Sequence, residues 1–197
     1  MRLILLLLLT TIGFIACKSK NETTITSEDG TAKAALNTGK IDSSAKEMQV
    51  KMDELKKLEP LTTEQVKTFF PENLMGIKRS SVNVNSMMGF SMGEAEYREN
   101  DSTQLKLSVY DVAGEAGSSI YGLQFWGALN SETESIDGYT KTIDFNGNKA
   151  VEKFDENLKS YELMYMANNR LMVNVTGINT TLDLVKQAAN RLHFDVK

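Results

Sequence analysis

Four patterns of hydrophobic and polar positions follow one another along the chain. Arg2 precedes an unbroken apolar run from Leu3 to Leu9, small or apolar residues continue to Ala16, and the chain's single cysteine, Cys17, follows. The stretch spans about 14 residues, short of the roughly 20 that a helical bilayer span needs, so residues 1–16 read as a removable secretory signal. Residues 17–42 are rich in Ser, Thr, Asn, Lys and Gly and lack apolar periodicity. Such a composition buries too little surface to offset the entropy of ordering, and the segment reads as a flexible tether. Over residues 43–59, Met48, Met52, Leu55 and Leu58 or Glu59 recur at three-to-four spacing, with Lys and Glu between them. That predicts an amphipathic helix stopped by Pro60, packed either on its own domain or against a partner helix.

Residues 60–197 read as a single domain. Thr62 and Gln65 form a capping-box pattern, with Leu61 and Val66 as a hydrophobic staple, and the short helix closes at Phe69 and Phe70 before Pro71. Period-two alternation then predicts strands around Val82 and Val84, over Glu94–Arg98 and over Leu105–Asp111. From Glu115 to Leu129 the period lengthens and predicts a helix with Ala116, Ile120, Leu123 and Gly127 on one face, its glycines permitting close packing on a sheet. Two hairpins follow: Tyr139–Phe145 with Lys149–Phe154 across Asn146 and Gly147, and Tyr161–Met166 with Leu171–Thr176 across Asn168 and Asn169. Asn179 or Thr180 caps a last helix carrying Leu182, Val185, Ala189 and Leu192. The expected fold is α+β: an antiparallel sheet of about six to seven strands with helices on one face.

Phe14-Ile15-Ala16-Cys17 resembles the lipobox of bacterial lipoproteins, which implies that Cys17 becomes the lipidated N-terminus. The resemblance implies attachment to a membrane through Cys17. Lys18-Ser19-Lys20-Asn21 lacks the acidic cluster of surface-exported lipoproteins, and no Asp follows Cys17. The expected address is the outer membrane, facing the periplasm, with the inner membrane as the alternative. The chain of 197 residues is 41% hydrophobic and carries a formal charge of -4. A weakly acidic chain without a basic stripe argues against nucleic acid, whose binding draws on Lys and Arg.

Asn73–Arg79, Ala95-Glu96-Tyr97, Asp111, Gly138-Tyr139 and Asn169–Gly177 resemble a widespread type of exported bacterial domain. Its first stretch commonly reads Leu-Pro-x-x-Leu-x-Gly-x-x-Arg; Phe70–Arg79 fits except at Phe70. The order of elements is also similar to the α/β/α sandwich of photosystem II PsbP and Mog1-like proteins. That likeness implies an architecture and no activity.

Candidate chemistry is sparse. Gly89-Phe90-Ser91-Met92-Gly93 matches the G-x-S-x-G pattern of a nucleophile elbow, and His193 follows it in hydrolase order. The residues after it read as a strand, however, where an elbow needs a helix. The single histidine rules out a multi-histidine metal site, and no calcium-loop spacing occurs. No metal or other cofactor is expected, and no enzymatic activity. Glu132-Thr133-Glu134 and Asp155-Glu156 read as solvated loops. Ten methionines remain to be placed. They serve as core filler, an adaptable apolar surface or, least economically, a thioether copper site. Met87, Met88, Phe90 and Met92, with Phe125 and Trp126, form the candidate surface for a protein partner or a small apolar ligand. The stretch Ser86–Met92 is a candidate flap over a pocket. The expected function is a non-enzymatic interaction module for a protein partner in the cell envelope; the alternative is a carrier or sensor of a small apolar ligand or lipid.

Overall fold

Positive backbone φ at both Met75 and Gly76, Met88 and Gly89, Asn146 and Gly147, and Asn168 and Asn169 marks four tight reversals. Turns of type I′ need φ above zero at both central residues, and their twist suits adjoining antiparallel strands. In the computed structural model, which describes residues 22–26, 32–37, 41–100 and 102–196, these reversals organise most of the sheet. The elements in chain order are β1 (Glu22–Thr26), β2 (Ala32–Asn37), α1 (Ile41–Lys56), α2 (Thr63–Lys67), β3 (Asn73–Leu74), β4 (Ile77–Met87), β5 (Phe90–Arg98) and β6 (Gln104–Asp111). Then come α3 (Gly114–Ile120), a π-helical segment (Tyr121–Trp126), α4 (Gly127–Leu129), β7 (Glu132–Ser135), β8 (Gly138–Phe145), β9 (Asn148–Asp155), β10 (Ser160–Ala167), β11 (Leu171–Ile178) and α5 (Leu182–Asn190).

The fold is α+β with an antiparallel sheet, in the order β1-β2-β7-β8-β9-β10-β11-β6-β5-β4-β3. The strand count therefore exceeds the expected six to seven. Glu132-Thr133-Glu134, expected as a loop, belong instead to strand β7, whose four polar residues are all exposed and offer no alternation to read. Strands β1 and β2 fall within residues 17–42, where the pattern predicts no strand. They pair with each other, and β2 pairs with β7. Their sequences, Glu-Thr-Thr-Ile-Thr and Ala-Lys-Ala-Ala-Leu-Asn, include β-branched residues that suit a strand but show no apolar alternation from which one could be read. The signal segment and Cys17 lie outside the described residues.

Helices cover both faces, which corrects the one-sided expectation. Successive strand residues point to opposite faces. Leu105, Leu107 and Val109 of β6, with Leu171, Val173 and Val175 of β11, face one way, into a core closed by Val66, Phe69 and Phe70 near α2 and by Val185, Ala188 and Ala189 of α5. Tyr110, Met164, Met166 and Met172 face the other way, into a second cluster with Met48, Met52 and Leu55 of α1 and with Tyr121 and Phe125. Central strands buried on both faces lose strict alternation, and that hides the second layer from a period-two reading.

The α1 stripe thus packs within its own domain, against α3 and the π-helical segment in the second cluster, with Leu55 fully buried. The predicted box at α2 forms: the Thr62 hydroxyl accepts from Gln65 N–H at 3.3 Å, and the Gln65 side chain accepts from Thr62 N–H at 2.9 Å. At α5 the cap is Thr181, whose hydroxyl accepts from Leu184 N–H at 3.2 Å.

The helix predicted over Glu115–Leu129 forms with a different buried stripe: Gly114, Gly117, Ser118, Tyr121 and Phe125. Leu123, placed on the inner face by the α-helical period, is 78% exposed. The wider π turn rotates the residues after Ile120 out of that period. Of its glycines, Gly117 lies against the backbone of Val112 and Gly122 against Met52, while Gly127 faces open space. None of the three mediates the expected contact with the sheet.

Candidate functional site

The chain passes from the α1 face to the α2 face through residues 57–62, and a polar clamp fixes that crossing. Asp111, at the end of β6, is fully buried. Its carboxylate accepts from Arg170 Nε at 2.9 Å, from Arg170 Nη2 at 2.8 Å and from Leu61 N–H at 2.6 Å. Arg170 Nη2 also donates to the Glu59 carbonyl at 2.8 Å, and the Ser91 hydroxyl donates to the Leu61 carbonyl at 2.6 Å. A Cβ at Gly114, where φ is +77°, would lie 3.0 Å from Pro60. These contacts place Leu61, and therefore the capped start of α2, beside β5 and β4. Ser91 lies within a strand, 2% exposed, with its hydroxyl committed to a backbone carbonyl. This is not the strand-to-helix turn of a nucleophile elbow.

The other buried carboxylate, Glu152, sits under α5. It accepts from Tyr139 Oη at 2.8 Å and pairs with Lys141 at 2.9 Å and Lys186 at 2.8 Å. Burial disfavours its ionised form, but hydrogen bonds from Lys186, Lys141 and Tyr139 outweigh burial and hold the carboxyl below its ordinary value. Burial, then the hydrogen bond to Glu152 and that carboxylate's charge, push the Tyr139 phenol upward. Among the described residues, no group of three or more His, Cys, Asp or Glu is placed to hold a metal ion.

The six candidate surface residues divide between two places. Phe125 is buried, and Trp126 lies beside it at a cleft bounded by Met48, Met166 and Leu129, with Lys51 and Lys149 also lining it. This cleft holds about 230 Å³, below the roughly 300–1,000 Å³ usual for small-molecule sites. Met87, Met88, Phe90 and Met92 lie instead at the β4–β5 hairpin, with β6 and β11 between them and β10. Phe90 is buried, whereas Met87 and Met88 are 54% and 84% exposed. The flap expectation is corrected: Met87 pairs with Phe90 across a two-residue turn, and the β4–β5 ladder continues without a break to Ser81. Pairing on both sides of the turn makes it a short hairpin tip.

What the sequence reading missed is the outer edge of β4. Strand β3 pairs only with Ile77 and Lys78, and Arg79 N–H donates to the Glu72 carbonyl at 2.8 Å. Register shifts between Arg79 and Ser81, a bulge at Ser80. Beyond it, residues 81–87 have no strand partner on the outer side among the described residues. Hydrogen-bonded pairs alternate along an antiparallel ladder, and Met87 with Phe90 closes the two-residue turn. The backbone groups of Val82, Val84 and Ser86 therefore point outward. Beside this edge runs an open groove of about 370 Å³ lined by Thr63, Glu64 and Lys67 of α2 and by Val82, Asn83 and Val84. Residues 80–87, Ser-Ser-Val-Asn-Val-Asn-Ser-Met, contain no charge and no proline, the usual devices that protect an edge. The signal was present as a neutral alternating strand; what the sequence lacked was the position of that strand in the sheet.

Compared with protein-family models, curated proteins and solved structures, the chain matches none.

Proposed function

We propose that the chain is a lipoprotein anchored through Cys17 at the periplasmic face of the outer membrane. Its α+β domain is a non-enzymatic interaction module that takes an extended protein strand along β4. The open, uncharged edge at residues 81–87, flanked by the α2 groove, carries this reading. An added strand gains main-chain hydrogen bonds from Val82, Val84 and Ser86, while alternate side chains enter the groove. The partner helix reading of α1 gives way, since its Met48, Met52 and Leu55 face is used internally.

A photocrosslinker placed at Asn83 or Asn85 in the full chain, in its own envelope, tests the docking edge. The expected result is a discrete protein adduct from both sites and none from the exposed Leu123. Equal labelling at Leu123, or no adduct from β4, would overturn it. The alternative, a carrier of a small amphiphile, draws on one observation: lysines line a cleft that also holds Met and aromatic side chains. A saturable change of Trp126 fluorescence on titration with a monoanionic fatty acid supports that alternative, and a flat titration removes it.

A further inference from the structure

Resting on that reading of the β4 edge, we infer that the strand it takes is β4 of a second copy of this chain, antiparallel, with Asn83 on the two-fold axis. An isologous pair must be complementary to itself, and this edge is. With Asn83 facing Asn83, Val82 meets Val84 of the second copy, Ser81 meets Asn85, and no charged side chain enters the five central pairs. Centring the axis on Val84 would instead set Val82 against Ser86, so the Asn83 register is the one that matches both valines.

Backbone phase agrees with this register. The outward-pointing groups belong to Val82 and Val84, so each Val82–Val84 pair exchanges two main-chain hydrogen bonds. Asn83 then falls at a non-hydrogen-bonded pair, where opposed Cα atoms approach to about 4.5 Å. The Ser80 bulge and the Arg79–Glu72 hydrogen bond stop the ladder at one end, and the exposed Met87 and Met88 lie at the other. Val82 and Val84 are half-buried on the α2 side, where cross-strand contact covers their remaining exposed area. On the groove, Glu64 and Lys67 carry opposite signs, so facing copies accumulate no net like charge.

Single-cysteine substitutions test the register in the full chain within its own membrane. Asn83→Cys places two thiols at a separation that a disulfide bridges, since it accepts Cα distances of about 4.4–6.8 Å. Asn85→Cys leaves its two copies offset by four residues, roughly 14 Å along the strands, beyond that reach. Both positions are exposed, so neither substitution removes a core contact. The parent chain, whose only cysteine is Cys17, supplies the baseline. Under mild oxidation Asn83→Cys should form the disulfide dimer about tenfold faster than Asn85→Cys. Equal rates would reveal unspecific collision, and no dimer from Asn83→Cys would show that the copies do not pair here; either overturns the inference. The docking edge itself stands or falls separately. A photocrosslinked adduct of a different protein at Asn83 keeps the edge and removes self-pairing, whereas no adduct of any kind removes both.

Discussion

Replacing Asp111 by alanine tests the clamp that sets α2 beside the β4 edge. The carboxylate is fully buried, and its partner Arg170 has a side chain only 12% exposed. Truncation leaves a guanidinium with a single hydrogen bond, to the Glu59 carbonyl, and orphans the Leu61 N–H. Breaking a buried pair by removing one partner costs about 3–5 kcal/mol. An orphaned buried donor adds roughly 1–3 kcal/mol, part of which the same relaxation recovers. We therefore expect Asp111→Ala to lose about 4 kcal/mol, roughly 10 °C in Tm for a chain of this size. Asp111→Asn keeps an acceptor for Leu61 N–H but removes the charge, and should lose about half as much, ~2 kcal/mol. Urea unfolding and thermal melts measure both, and amide exchange reads the local effect, with faster exchange over Thr63–Lys67 in Asp111→Ala. A loss below about 1 kcal/mol in the alanine variant would refute the argument, because the geometry would then contribute little beyond solvation. Equal losses in the two variants would refute the separate role assigned to Leu61.

Two further substitutions probe other contacts. Glu152→Gln removes two ion pairs, but both lysines are partly exposed and turn to water, so the cost near neutral pH should be about 2 kcal/mol. Because folding holds this carboxyl below its ordinary 4.5, its contribution is present above that value. It is lost as pH falls through the lower folded value. The gap between parent and variant in Tm should therefore narrow as pH falls below about 4.5, and a gap that stays constant on acidification would remove the linkage. Gly93→Ala places a Cβ 2.5 Å from the Phe70 ring and 3.1 Å from Val84, both in the packed region under α2. It should cost about 1–3 kcal/mol. Gly122→Ala meets the flexible Met52 thioether at 3.0 Å and gains helix propensity, so its net change should stay within about 1 kcal/mol. Chemical denaturation of the pair separates them, and similar losses would contradict the contacts.

Legibility followed the range of each interaction. Thr62 with Gln65, and Asn146 with Gly147, are contacts between near neighbours, and a local pattern reports them directly. A 3.6-residue period puts Leu123 on the inner face because it cannot register the π turn that begins at Tyr121. Strand β7 left no trace because none of its residues is buried. The clamp lay in view as two short motifs, Asp111 and Asn169–Arg170, yet nothing in a sequence joins positions 59 apart until β6 and β11 are known to be neighbours. Phe125 and Trp126 were grouped with the Met87–Met92 stretch on composition alone. Composition has no distance in it, and strands β6 and β11 stand between the β4–β5 hairpin and the β10 side of the cleft.

The two sides of the sheet are treated differently, and that difference bears on function. Beyond β8, the strands β7, β2 and β1 extend the sheet, and β7 carries Glu132 and Glu134. On the opposite side β3 covers only Ile77 and Lys78, the first two residues of β4, and the Ser80 bulge interrupts the ladder just beyond them. A neutral strand with three outward sets of amide and carbonyl groups, unpaired among the described residues, is a template for any extended chain and carries the risk of unspecific pairing. The risk falls when a preferred occupant is in place. The clamp fixes the groove that the proposed occupant would enter: Asp111 and Ser91 hold Leu61 from both sides, and Leu61 sets where α2 stands relative to Val82 and Val84. Thus the buried charges near α2 serve the surface as well as the core. Weakening Asp111 should loosen the docking groove even where the β4 ladder itself remains intact.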